Sequence, residues 1–229
     1  MEVVLLPPDF DYDTCYYLNK EELKSIGQSP FKKANESILG KIALKKAYKI
    51  FNQFTQDPKK IRTMKDKSGV PFIKNNSKLS CTISHSFGYV IATIDNKLVG
   101  IDIEKIRYHK RELIDYVLLP EELKYVLDKN PNLTVTKTWV IKEAVLKAIG
   151  IGFKLSPRKV NICKRVKSDY LVIINDKGKL HKKKFNVLAF RWGSFYIALA
   201  MEAYKYGKLK INWNNFTSIQ LPKIKGIYR

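Results

Sequence analysis

The segment Ser86–Glu104, SFGYVIATIDNKLVGIDIE, decides the fold. Aromatic and β-branched residues fill Tyr89–Ile94 and Leu98–Ile103, and Asp95-Asn96-Lys97 between them is turn chemistry. The segment therefore predicts two antiparallel strands. Leu79–Ile83 adds a strand before them, separated by Ser84-His85-Ser86-Phe87-Gly88, which reads as a polar turn. The pattern echoes downstream, where GSFYIALAMEAYKYG (Gly193–Gly207) repeats the aromatic-then-aliphatic strand and closing glycine of SFGYVIATIDNKLVG (Ser86–Gly100). Later strands are predicted around 160–163, 170–174, 185–191 and 195–202. Each half then combines a helix-rich part with a small antiparallel sheet, giving an α+β fold of two similar halves, 1–102 and 103–229, with a cleft between them.

Ser29–Phe54 predicts a long amphipathic helix, with Ile38, Leu39, Ile42, Ala43, Ala47, Tyr48 and Phe51 as its apolar stripe. Lys65–Gly69 is a turn, after which Val70-Pro71-Phe72-Ile73 resumes an extended segment. Residues 111–128 read as helical, with a start at Pro120-Glu121-Glu122. A further helix is WVIKEAVLKAIGIGF, Trp139–Phe153, ended by Gly150 and Gly152. Val140, Ile141, Ala144, Val145, Ala148 and Ile149 form its broad core face. The opposite sector holds Lys142, Glu143 and Lys147. An exposed i,i+4 pair would account for Glu143 and Lys147, but Trp139 and Leu146 lie in the same sector, which a plain solvent face seldom allows.

At 229 residues the chain suits one large domain or two small ones. No apolar run approaches the roughly 18 residues of a membrane span. The start, MEVVLLPPDF, lacks a basic region before its short apolar run and does not read as a signal peptide. Cys15, Cys81 and Cys163 are widely spaced and form no Cys-x-x-Cys pair, which fits a reducing compartment, so a cytoplasmic location is expected. Net charge is +22, of which +15 falls after residue 150. Such asymmetry suggests an acidic partner. There is no Walker loop, no G-x-G-x-x-G and no Ser in a nucleophile elbow.

The strand LVGIDIE places Leu98, Gly100, Asp102 and Glu104 on one face and Val99, Ile101 and Ile103 on the other. Same-face neighbours are about 6.6 Å apart, so the two carboxylates repel unless a cation or water lies between them. Hard oxygen ligands with open positions favour magnesium, which commonly links carboxylates to phosphate. Glu143, a lone acid in an apolar and basic helix, is the natural third carboxylate, and Lys142 and Lys147 could then face phosphates.

In this order, Val99-Gly100-Ile101-Asp102-Ile103-Glu104 and Trp139-x-x-Lys142-Glu143-Ala144-x-x-Lys147, with Ser84-His85-Ser86 upstream, resemble the paired signature of the 4′-phosphopantetheinyl transferases. The spacing is that of the longer, surfactin-synthetase-activating type rather than of the short, trimeric holo-acyl-carrier-protein synthases. The resemblance runs from about Ser29 to Ser156. It implies an intramolecular pseudo-dimer, active as a monomer, that moves phosphopantetheine from coenzyme A to a serine of an acidic apo-acyl- or peptidyl-carrier protein and releases 3′,5′-ADP. By the same resemblance Asp102, Glu104 and Glu143 fall on the Mg²⁺ ligands, and Lys142 and Lys147 on phosphate-facing lysines. Ser84 and His85 fall on contacts to the 3′-phosphate of coenzyme A, Gly69 and Pro71 on the turn beside the nucleotide, and Glu122 on an acid near the metal. Glu143, Glu122 or a water at the metal could take the serine proton.

This chain departs from that pattern at three positions, one of them Thr82 in place of a common Asn. Glu36 in Asn35-Glu36-Ser37-Ile38-Leu39-Gly40 stands where the family usually has Arg, with Lys32, Lys33 or Lys41 as substitutes, and Val70 replaces the Lys of a Gly-Lys-Pro turn. Two other classes fit the composition. A basic nucleic-acid-binding module would need lysines interleaved with exposed aromatics, but no nucleic-acid motif is present. A magnesium nuclease or phosphatase would use the same acids without a carrier protein. The expected partners are therefore coenzyme A and a carrier protein, with neither nucleic acid nor membrane.

Overall fold

A computed structural model describes residues 1–27, 31–53, 57–74, 76–151, 154–176, 180 and 182–203. The chain divides after Asn96 into two compact units. The strand that straddles the expected boundary at 102 therefore lies whole in the second unit. No helix among the described residues is long and apolar enough to cross a membrane.

The first unit begins with β1 (Glu2–Leu6), followed by the short helices α1 (Thr14–Tyr17) and α2 (Lys20–Ile26) and the long α3 (Phe31–Phe51). The hairpin β2 (Thr63–Lys65) and β3 (Pro71–Ile73) comes next, then β4 (Ser80–Ser86) and β5 (Tyr89–Asp95). An antiparallel sheet runs in the order β1-β5-β4. Leu39, Ile42, Ala43 and Ala47 of α3 pack on Val4, Leu6, Val90, Ala92 and Ile94 of this sheet. Ser86 pairs with Tyr89, so the β4–β5 turn is only Phe87-Gly88, both at positive φ (51° and 84°). That two-residue turn suits the strand twist. It leaves Ser84 and His85 inside β4 rather than in the expected five-residue turn.

One buried network ties the unit together. Glu22 of α2 accepts from Lys45 Nζ of α3 at 2.6 Å and from Thr63 of β2, through N at 3.0 Å and Oγ1 at 2.6 Å. Burial alone would raise the Glu22 pKa, but the bonds from Lys45 and Thr63 bring it below the ordinary value.

The second unit starts with β6 (Val99–Lys105) and α4 (Arg111–Val117). A 3-10 turn at Pro120–Glu122, α5 (Leu123–Val126) and α6 (Pro131–Ile149) follow. The expected continuous helix over 111–128 is broken because Leu119, before a proline, is extended at φ −105°, ψ 139°. β7 (Val160–Val166), β8 (Asp169–Ile174), β9 (Lys184–Trp192) and β10 (Phe195–Glu202) complete an antiparallel sheet ordered β6-β10-β9-β8-β7.

α6 begins earlier than Trp139, with the Asn130 side chain accepting from Leu133 N at 2.9 Å and Pro131 in the first turn. It ends at Gly150, φ +70°, while Gly152 and Phe153 lie outside the described residues, as do Ser29 and the tail from 204. Its core face, Val140, Ile141, Ala144, Val145 and Ala148, meets Val172, Phe185, Val187, Ala198 and Ala200. Gly100 brings α6 against β6: a Cβ there would lie 1.9 Å from Ala144 O and 2.5 Å from Ala148 N.

Candidate active site

In the second unit, the closeness of α6 to β6 at Gly100 sets the geometry of the acids. Asp102, two residues along the same strand face, is buried, and its Oδ1 accepts from Lys147 Nζ at 2.6 Å. Glu143 lies one helical turn before Lys147 and is also buried. Its Oε1 has no hydrogen-bond partner. Its pKa is pushed up to about 7, first by burial and then by Asp102, with Lys147 opposing and Glu104 adding. Asp102, Glu104, Glu143 and Lys147 thus form one electrostatic cluster. Among the described residues no three acid, His or Cys side chains are gathered closely enough to enclose a metal.

Lys142 and Glu122 are elsewhere in the packing. Both side chains are fully buried; Lys142 Nζ donates to Glu122 Oε2 at 2.7 Å and to Val117 O at 2.8 Å. Glu122 also accepts from Leu119 N at 3.2 Å and Ile162 N at 2.8 Å. Burial lowers the Lys142 pKa while Glu122 raises it. The pair staples α6 to the 3-10 turn and β7, and the structure places neither group where solvent or a ligand reaches it.

The first unit contains a cavity of about 430 Å³, lined by Lys33, Glu36, Ser37, Gly40 and Lys41 of α3 and by Thr63, Met64 and Lys65 of β2. Gly69 and Pro71 of the β2–β3 hairpin, Ile83 and His85 of β4, and Leu44 of α3 complete it. Gly69 holds φ +84° in a turn that Asp66 organises by accepting from Ser68 N at 2.8 Å and Val70 N at 2.9 Å. Lys41 is half-buried, and burial pushes its pKa down while Glu22 pushes it back up. No carboxylate among the described residues lies within ion-pair distance of it. Its buried charge would gain from an anion.

His85, Gly69 and Pro71 are thus brought together as expected. Ser84 is not: it is buried and alternates to the other face of β4. Lys33 and Lys41 line the cavity, whereas the Lys32 side chain lies outside the described residues. Sequence reasoning missed Lys65, whose only signal was its place beside the hairpin turn, opposite Pro71.

A family model described as the 4′-phosphopantetheinyl transferase superfamily matches residues 98–200. The 4′-phosphopantetheinyl transferase gsp of Aneurinibacillus migulanus is 30% identical over 160 residues, covering 66% of each chain. The 4′-phosphopantetheinyl transferase Sfp of Bacillus subtilis strain 168 is 28% identical over 125 residues, 53% of this chain and 55% of that one. The chain thus spans just under two thirds of the first relative and about half of the second. Among solved structures, the holo-[acyl-carrier-protein] synthase of Thermotoga maritima covers 48% of this chain at 20% identity and a TM-score of 0.38, with 65% of that chain matched.

Proposed function

We propose that the chain is a 4′-phosphopantetheinyl transferase of the long, surfactin-synthetase-activating type, as its similarity to that superfamily and to its gsp and Sfp members supports, and that it transfers 4′-phosphopantetheine from coenzyme A to a serine of an apo-carrier protein. The serine Oγ bonds to the phosphorus that carries pantetheine, the pyrophosphate P–O bond breaks, and 3′,5′-ADP leaves with the bonding electrons. The observation that carries this reading is the cluster of Asp102, Glu143 and Lys147 held on β6 and α6.

The donor chemistry fits magnesium. Asp102, Glu104 and Glu143 would offer hard oxygen donors, although as they stand they do not close round an ion, and the partnerless Glu143 Oε1 is a buried acceptor whose charge a cation would favour. When bound, Mg²⁺ supplies positive charge to the phosphate oxygens. Lys147, partly exposed beside Asp102, adds a cation of its own where negative charge develops. Of the two acids proposed to take the serine proton, Glu143 is favoured, since both Glu122 oxygens already accept hydrogen bonds. Lys142 contributes by holding Glu122, and so α6, in place.

The cavity in the first unit is read as the nucleotide site for coenzyme A, with Lys33, Lys41, Lys65 and His85 supplying positive charge to its phosphates. Ser84 contributes through its strand, not by direct contact. Each unit sets a long helix on an antiparallel sheet, α3 in the first and α6 in the second, which supports reading them as halves of an intramolecular pseudo-dimer. The monomeric state is proposed from the family resemblance alone, and the cytoplasmic location from the spacing of the cysteines. The +22 charge supports an acidic carrier as partner.

The test is intact-mass analysis of apo-acyl- and apo-peptidyl-carrier proteins incubated with this protein, coenzyme A and Mg²⁺. A phosphopantetheine-sized gain on the carrier serine, lost with EDTA and with Glu143→Gln, is expected. No gain on any carrier from folded protein would sink the reading.

A further inference from the structure

The cavity of the first unit is basic except at one point. Lys33, Lys41 and Lys65 line it together with His85, and Glu36 stands among them with Oε2 3.4 Å from His85 Nδ1. The acid is the better buried partner, its side chain 16% exposed against 52% for the imidazole. Glu36 sits inside α3, one turn before Gly40, where the helix is pressed on the sheet: a Cβ on Gly40 would lie 3.3 Å from Ile83 Cγ2. The carboxylate is therefore fixed in the cavity wall by the packing of its own helix.

A terminal phosphate monoester carries up to two negative charges near neutral pH. Brought to His85, it meets a carboxylate already beside the imidazole, and the two anions repel across a partly desolvated gap. A phosphate diester or pyrophosphate reaching Lys41 or Lys65 instead gains a cation with no such neighbour, since neither lysine has an ion-pair carboxylate among the described residues. We propose that Glu36 is a specificity determinant that penalises a 3′-phosphate in this cavity, so that the chain accepts donors lacking it about as readily as coenzyme A itself. The proposal rests on the cavity being the nucleotide site of the donor.

Titration calorimetry on the full chain separates this from the transfer reading. Coenzyme A and 3′-dephospho-coenzyme A, which differ only in that monoester, are each titrated into wild type, Glu36→Gln and Glu36→Asp. Glu36→Gln should tighten coenzyme A about tenfold and change the dephospho form by less than about twofold, while Glu36→Asp, which keeps the charge, stays with wild type. Equal tightening of both ligands, no change in either, or no binding of either overturns the proposal. If coenzyme A responds as expected but no carrier gains phosphopantetheine, the transfer reading fails and the role of Glu36 in this cavity stands.

Discussion

Lys142 and Lys147 lie on the same helix, yet their ammonium groups have opposite surroundings. Lys142 is sealed in the core against Glu122 and Val117 O, while Lys147 reaches a partly exposed edge beside Asp102. Removing one partner of a buried pair strands the other charge, so Lys142→Met should cost about 3–5 kcal/mol of stability, read as a large fall in Tm. Adding Glu122→Leu should return most of that loss, because the stranded acid is gone. Lys147→Ala strands Asp102 as well, but at a partly exposed edge, so it should lower Tm clearly less than Lys142→Met. In the proposed reaction, where its charge would face the phosphates, it should lower kcat by about 100-fold or more. Equal Tm losses for the two lysines would refute this division of roles. Both lysines were legible in the sequence as charges in an apolar helix. Their separate roles were not, because Glu122 lies twenty residues away in another element and only packing brings it to Lys142.

At the level of elements, alternation carried far in β4 to β6 and β7 to β10, because period-two burial follows from strand geometry alone. It misplaced Ser84 and His85, since polar side chains on a half-exposed strand look like a turn until Phe87 and Gly88 are seen to close the hairpin alone. It also missed what Gly100 does, reading it only as the glycine that closes the repeated segment and as a position on the face of Asp102. What matters there is the backbone of α6, a partner no local pattern announces. Gly100→Ala would drive a methyl into Ala144 O and force α6 off β6, separating Glu143 and Lys147 from Asp102. The expected cost is about 3 kcal/mol or more, read as a lowered urea midpoint. Gly193→Ala is the converse case: unlike Gly100 it has positive φ, 55°, and nothing lies within 4 Å of its Cβ, so only backbone strain of about 1–2 kcal/mol is expected. If the two variants unfold at the same urea concentration, close packing at Gly100 is not what positions the site.

Over the whole molecule, charge operates both at the surface and in the interior. The surface excess was countable from the sequence, and Lys164, Arg165 and Lys167 at the exposed β7–β8 turn belong to its most basic part. Replacing these three by Gln should raise the KM for an acidic carrier and flatten its salt dependence while leaving kcat within about twofold. An unchanged KM and salt slope would remove electrostatic steering from that surface.

The interior pairs could not be counted in this way, because each joins elements whose meeting is a product of the fold. Asp128 is the example: Lys137 Nζ and Tyr196 OH both donate to its Oδ2 at 2.8 Å, drawing the end of α5, α6 and β10 together. Although burial opposes it, Lys137 and the Lys129 backbone N–H, with Tyr196, hold the Asp128 pKa down to about 2 from 3.8. A carboxylate with a depressed folded-state pKa binds protons more weakly when folded, so its contribution is complete above the unfolded value. That contribution fades as pH falls through the folded one. The Tm difference between wild type and Asp128→Asn should therefore be constant above about pH 5 and shrink progressively between about pH 4 and pH 2. A difference that persists unchanged at pH 2, with both proteins still folded, would mean that the Asp128 charge does not stabilise the junction and that only the shape of its side chain does.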